Sequence, residues 1–281
     1  MRLGSEGIRE IDGAQAARLM EGWAEGGYLL IDVRQPQEYE GGHLPGARLL
    51  PLPDLEEGAR GLPRGRPIIT YCGSGNRSRA AAVLLRRLGF GEVYSLAGGL
   101  LSWQRPLAAG WPRAHLFTGA EDAVTALNLV FFMERGSQNF YRRGAQRAAD
   151  EGVARLLASL AQAEEGHLLA AYERLAALRP ELPSYGEYRE LADSNLMEAA
   201  LEPADYLPRL EALERAGERG ALEMAVELEA MSLDLYRSLA AQAADSEVRS
   251  TLLAMAAQET AHLRSLAERL GELAAGGRSG P

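Results

Sequence analysis

At 281 residues, with 47% hydrophobic and 25% charged positions, the chain has room for two ordinary domains, and its composition excludes a disordered polypeptide. The net charge of -9 is unevenly spread: residues 1–112 hold 13 arginines against 12 acidic residues, and residues 113–281 hold 17 against 27. Such an acidic second half argues against nucleic acid as a partner and is compatible with bound cations.

All 30 basic residues are arginine, so Schiff-base chemistry and a P-loop lysine are excluded. A single cysteine, Cys72, excludes intramolecular disulfides, Cys-rich zinc sites and a rubredoxin-type cluster. The opening residues MRLGSEGIREIDG do not read as a signal peptide, and no apolar run approaches a membrane span. A cytoplasmic protein without membrane contact is therefore expected.

In chain order, a helical pattern at Asp12–Trp23, with Asp12 as N-cap, precedes a strand at Tyr28–Asp32. Further strands are predicted at Arg48–Pro51, Pro67–Tyr71 and Val93–Leu96, with a helix at Ser78–Leu88 between the last two. Alternation of this kind predicts an α/β domain with a parallel sheet, whose functional loops lie at the carboxyl ends of its strands. Cys72 directly follows the strand PIITY, where such chemistry belongs. The stretch Arg105–Gly119, with Pro, Gly and Trp, reads as a linker. Beyond it the spacing predicts long helices at 121–147, 149–178, 219–243 and 246–273. The Pro-rich connection 179–218 is expected to carry a short helix around 189–201. One long crossover joining two helical hairpins is the topology of ferritin-like bundles.

The hairpins repeat each other. A shift of 95 positions lays Tyr141 on Tyr236, Asp150 on Asp245 and Val153 on Val248. The same shift pairs Glu134 with Glu229, Glu164 with Glu259 and His167 with His262. In each Glu-x-x-His the carboxylate and imidazole share one helix face, and a lone Glu precedes each pair by 30 residues. One such motif would be weak evidence; two in register are not. Carboxylates among Val130, Phe131, Leu160, Val226 and Met255 would be costly to bury unpaired. These six residues match the ligand set of di-iron and di-manganese carboxylate bundles, so two iron ions are expected, with manganese as the alternative. Tyr141 and Tyr236, two turns beyond the lone glutamates, either hydrogen-bond the ligands or serve packing.

The loop Cys72-Gly73-Ser74-Gly75-Asn76-Arg77-Ser78 runs from strand to helix. It aims backbone N–H groups and a helix N-terminus at the sulfur, with Arg77 and Arg79 adding positive charge nearby. That setting stabilises a thiolate or a persulfide on Cys72.

The segments IDVRQPQEYEGGHLPGA, YCGSGNRS, LRRLGF and VYSLAGGLLSW resemble the rhodanese family over nearly all of residues 4–112. The resemblance implies sulfane-sulfur transfer, with Cys72 accepting sulfur from thiosulfate or another donor and passing it to a thiol, cyanide or sulfide. Four residues separate Cys72 from Arg77, the loop length of the sulfur-handling rather than the phosphatase-like members, whereas Gly73 stands where many thiosulfate users carry Arg. Asp32, Arg34, Glu38 and His43 are assigned to fold support, a salt bridge and a turn.

Residues 119–273 resemble a rubrerythrin-type ferritin-like domain, which implies a non-haem di-iron site reacting with peroxide or dioxygen. Ser232 stands where rubrerythrins carry an extra Glu, and no rubredoxin domain is present to supply electrons. The expected architecture is a rhodanese-like α/β domain (1–112), a linker (113–118) and an all-α ferritin-like four-helix bundle (119–281). The expected partners are small sulfur substrates, thiol acceptors, peroxide or dioxygen, an external electron donor and a second copy in a homodimer. The competing expectation is sulfur delivery to a non-catalytic iron-storage or assembly bundle.

Overall fold

The computed structural model describes residues 2–3, 8–117, 122–192 and 203–276. The chain divides into two compact units, Met1–Trp111 and Pro112–Pro281. Of the expected linker 113–118, residue 118 lies outside the described residues, as does residue 119, the expected start of the helical domain.

In the first unit the chain runs β1 (Arg2–Leu3), β2 (Arg9–Ile11), α1 (Gly13–Gly22), β3 (Leu29–Asp32), α2 (Pro36–Glu40), β4 (Arg48–Leu49) and α3 (Leu55–Gly58). It continues through β5 (Ile68–Tyr71), α4 (Asn76–Arg87) and β6 (Val93–Leu96). One sheet has the order β1-β2-β6-β5-β3-β4, with β1 antiparallel to β2 and every other pairing parallel. Alternation along each strand sorts side chains onto two faces. Ile31, Ile68 and Val93 join one core with Ala81, Ala82 and Leu85 of α4. Leu30, Ile69, Tyr71, Tyr94 and Leu96 join the other with Ala16 of α1. Cys72 falls in register with Ile68 and Thr70, and so enters the core on the α4 side.

Sequence placed β3, β4, β5 and β6 and the two longer helices, α1 and α4, but not β1, β2, α2 or α3. Asp12 caps α1 as expected, accepting from the Gln15 N–H in a reciprocal capping box. The first part of the expected linker belongs to the first unit: Ala108 bridges His43, and the Gly110 N–H donates to the Glu40 carbonyl.

The second unit is helical: α5 (Ala123–Arg147), α6 (Glu151–Leu178), α7 (Tyr185–Leu191), α8 (Pro203–Gln242) and α9 (Ser246–Gly276). α5 packs along α6 and α8 along α9, and the hairpins meet through α6 with α8 and α5 with α9. The repeat extends to the caps: Asp150 accepts from the Val153 N–H at 2.9 Å, and Asp245 from the Val248 N–H at 2.9 Å. α8 begins earlier than expected but contains a break at Gly217, with φ 63° and ψ -163°, close to the expected start at 219. A short helix stands at Tyr185–Leu191, started by the Ser184/Glu187 capping box; it meets the helix expected around 189–201 only at residues 189–191, and residues 193–202 lie outside the described residues.

α7 is held by a polar network built on residues that differ between the two repeats. Gln138 donates to Glu165 at 2.7 Å, while Arg135 and Arg189 donate to Gln138 Oε1 at 2.6 and 3.1 Å. Tyr185 donates to Glu165 at 2.8 Å, and Phe131 packs edge-on to Tyr188. The positions equivalent to Arg135, Gln138 and Glu165 are Ala230, Leu233 and Thr260.

Candidate functional sites

β5 delivers Cys72 to the start of α4, and the thiol is 1% exposed. α4 begins at Asn76, two residues earlier than expected, because Gly75 takes φ 99° and turns the chain directly into the helix. The Gly75 N–H points at Cys72 Sγ, 3.1 Å away, and Ser78 Oγ lies 3.8 Å from it. Burial pushes the thiol up, but the N–H groups of Ser78 and Gly75, the Ser78 hydroxyl and the Ser74 N–H outweigh it. The net effect holds Cys72 below its ordinary value. Ser78 is itself held in place, with its Oγ 2.9 Å from the Gly75 carbonyl oxygen and accepting from Ser95 at 3.2 Å.

A second loop supports the first. Leu100 and Leu101 donate backbone N–H groups to the carbonyls of Cys72 and Gly73, at 2.9 and 3.3 Å. A Cβ at Gly99, whose φ is +56°, would stand 2.2 Å from the Cys72 carbonyl oxygen, so only glycine permits this approach. Gly99 was not singled out as a site residue in the sequence; the Gly-Gly pair following β6 was the available signal.

Arg77 faces both a carboxylate and the sulfur: hydrogen bonds to Glu38 and to Cys72 raise it above its ordinary value. Its guanidinium grips both carboxylate oxygens of Glu38 at 2.7 Å, and Arg79 pairs with Glu10 at 3.2 Å. Hydrogen bonding from Arg77 outweighs partial burial and holds the Glu38 carboxyl down to about 2. Glu38 is thus the partner of a loop residue, 39 positions away in sequence. Arg34 forms a buried pair with Asp32 at 2.7 Å and donates to the Gly42 carbonyl, while His43 stacks on Tyr39. These residues organise the loop after β3.

In the helical unit, Glu134 on α5, Glu164 on α6, Glu229 on α8 and Glu259 on α9 are each 0% exposed. His167 Nδ1 lies 3.1 Å from Glu134, 3.3 Å from Glu164 and 3.4 Å from Glu259. His262 Nδ1 lies 3.0 Å from Glu229, and the two imidazoles stand edge to face at 5.7 Å. Three sets have ligand atoms within 4.8 Å of one another: Glu134/Glu164/His167, Glu164/Glu229/His262 and His167/Glu259/His262. Burial pushes the Glu229 carboxyl up, but the attraction of His262, a hydrogen bond with Glu259 and the nearby His167 bring it below its ordinary value.

Four buried carboxylates against two imidazoles leave an excess of negative charge, which a pair of divalent cations would neutralise. The oxygen and nitrogen donors fit iron or manganese. Tyr236 donates to Glu134 Oε1 at 2.5 Å, reaching the ligand of the other repeat and not its own helix's Glu229. Tyr141 is fully buried in the core of its hairpin, edge-on to Phe140.

Comparison with known proteins bears on the first unit. A family model described as a rhodanese-like domain matches residues 15–106. The uncharacterized protein YqhL of Bacillus subtilis is 45% identical over 74 residues, covering 26% of this chain and 59% of that protein. The probable adenylyltransferase/sulfurtransferase MoeZ of Mycobacterium tuberculosis is 35% identical over 112 residues, covering 36% of this chain and 29% of that protein. The chain therefore spans less than two thirds of either relative's length. A rhodanese-related protein of Thermoplasma volcanium, known from its crystal structure, is 31% identical over 34% of this chain and 90% of that one, with a TM-score of 0.31. Residues 15–106 thus constitute a rhodanese-like domain, followed in the chain by a helical region.

Proposed function

We propose that the protein is a sulfurtransferase that carries sulfane sulfur as a persulfide on Cys72, joined to a ferritin-like, rubrerythrin-type four-helix bundle that holds two metal ions. The observation supporting the sulfur chemistry is the Gly75 N–H aimed at Cys72 Sγ from 3.1 Å. In the turn opening α4, N–H groups favour negative charge at that point, first on the thiolate and then on the terminal sulfur of the persulfide. Cys72 then passes the sulfur to a thiol acceptor. Loading the full chain with a sulfur donor and releasing thiocyanate with cyanide tests this reading. One sulfur per chain is expected, and none from Cys72→Ser; equal release from that variant would overturn the assignment.

The metal reading rests on four fully buried carboxylates from four helices converging on two imidazoles. Glu164 falls within ligand reach of both imidazoles, as does Glu259, so these two would help hold both ions. Glu134 with His167 would complete one ion's ligands, and Glu229 with His262 the other's. Tyr236 fixes the orientation of Glu134. When bound, a pair of iron ions supplies a redox couple able to reduce peroxide or dioxygen, with electrons drawn from an external donor. Metal analysis with optical spectra before and after peroxide addition is the test. Protein prepared without chelators and found free of both iron and manganese would remove the basis of this reading.

A further inference from the structure

The seam between α7 and the first hairpin gathers three arginines around one carboxylate. Arg189 Nη2 lies 3.1 Å from Glu165 Oε2, and Arg142 Nη2 lies 3.9 Å from the same oxygen. Arg135 pairs with no carboxylate among the described residues and donates instead, at 2.6 Å, to the neutral amide oxygen of Gln138. Burial, and then the like charges of Arg189 and Arg142, disfavour the Arg135 guanidinium more than the charge of Glu165 favours it. Three cations against one anion leave two positive charges uncompensated within the cluster. Solvent reaches it only in part: the Arg189 side chain is 24% exposed and that of Arg142, which marks the entrance, 46%.

Hydrogen bonding is out of balance in the same direction. Both oxygens of Glu165 are engaged, Oε1 by the Tyr185 hydroxyl at 2.8 Å and Oε2 by the Gln138 amide at 2.7 Å. Gln138 Oε1 already accepts from Arg135 and Arg189. The Nε–H groups of Arg135 and Arg189 are buried and find no acceptor among the described residues. Guanidinium donors thus outnumber the acceptors they face, and a buried donor left unpaired is costly. We infer that this seam binds a small dianionic oxyanion of the phosphate class, free or as the phosphate group of a small monoester. Such a group brings the two missing charges and several acceptor oxygens, and arginine forks match its geometry. The site belongs to one repeat only. Arg142 has an arginine counterpart in Arg237, but Arg135, Gln138 and Glu165 are matched by Ala230, Leu233 and Thr260. Arg135 and Glu165 each follow a proposed metal ligand, Glu134 and Glu164, by one position, and so lie about 100° round their helices from it. The oxyanion therefore sits beside the metal-ligand face and not in it, and its binding depends on neither metal nor sulfur.

The test titrates the full chain with inorganic phosphate by calorimetry, against chloride at equal ionic strength, with glycerol 3-phosphate in a parallel arm. Saturable binding is expected, and the tighter arm names the form the site takes. Arg142→Gln breaks only a long ion pair, so the fold should persist while affinity falls about tenfold, the size of one lost charge-assisted contact. Glu165→Gln withdraws the competing carboxylate and should tighten binding about threefold. Damage to the fold would weaken binding in both variants, so opposite directions separate a site from a disturbance. Absence of saturable binding in both arms would overturn the inference, as would weakening in both variants. So would an affinity that Arg142→Gln does not move, which would place the phosphate at the cysteine loop or the metal centre instead.

Discussion

Tyr236 and Glu134 lie 102 positions apart, yet the buried phenol donates to the buried carboxylate at 2.5 Å and ties one repeat to the other. Tyr236→Phe removes the donor and leaves the carboxylate in place. A hydrogen bond to a charged acceptor contributes roughly 1.5–3 kcal/mol, so urea unfolding of the metal-free protein should show a loss of that order. Metal affinity should fall about 10- to 100-fold. An unchanged unfolding midpoint together with unchanged metal titration would show that this contact contributes nothing.

Glu164 and Glu134 should differ in what their removal costs. Glu164 reaches ligand atoms on both sides of the centre, whereas Glu134 belongs to the set around His167 alone. Glu164→Ala is expected to deplete both ions, and Glu134→Ala to deplete one, as read by elemental analysis of protein reconstituted with iron(II). Identical stoichiometry in the two variants would contradict the assignment of Glu164 to both ions.

The depressed Cys72 thiol makes a kinetic prediction. Because only the thiolate is alkylated, a lowered value keeps the reactive form present at lower pH. In the native chain, the pH midpoint for iodoacetamide labelling should lie below the ordinary thiol value of 9.0. Ser78→Ala removes one of the groups that stabilise the thiolate and should move the midpoint upward. A midpoint at or above the free-thiol value in the native chain would show burial prevailing.

Gly99→Ala should be among the most damaging small substitutions in the first unit. The added methyl would press on the Cys72 and Gly73 carbonyl oxygens from a backbone with positive φ. Strain and overpacking together should destabilise the unit by about 2–4 kcal/mol. Sulfur loading should fall with it. A variant retaining both stability and loading would mean that the two loops can separate freely.

The Glu38–Arg77 pair should leave a pH signature. Glu38 sits at about 2 in the folded protein against an ordinary 4.5. Its stabilisation is therefore fully present above the ordinary value and lost as pH falls through about 2. Both side chains are 39% exposed, so solvent screening limits the contribution to roughly 0.5–1 kcal/mol. The stability difference between the native chain and Glu38→Gln should shrink over that interval, and also in high salt at neutral pH. A difference independent of both pH and salt would mean that the pair acts by packing.

Much of this molecule is legible in its sequence because the relevant signals are local. Short apolar runs mark β3, β5 and β6, and Asp12 announces the start of α1. The ligand set is readable because Glu-x-x-His recurs at a fixed offset. What sequence hides is long-range. Nothing near Arg77 shows that Glu38 will neutralise it, and an isolated helix surface gives no hint that Tyr236 serves the opposite repeat's Glu134. Four-residue α3, Leu55–Gly58, offers too few periods to register at all.

The polar clasp around Gln138 has a consequence for the duplicated architecture. In an assembly of two identical hairpins, every side chain placed on one face would appear on both, so a clasp for α7 could be gained only in duplicate. Covalent fusion lifts that constraint. Arg135, Gln138 and Glu165 could become a docking seam while Ala230, Leu233 and Thr260 did not, with the six residues facing inward left in register. The chain thus keeps twofold order where charges converge and abandons it one helix face away, so that its two halves are no longer interchangeable parts.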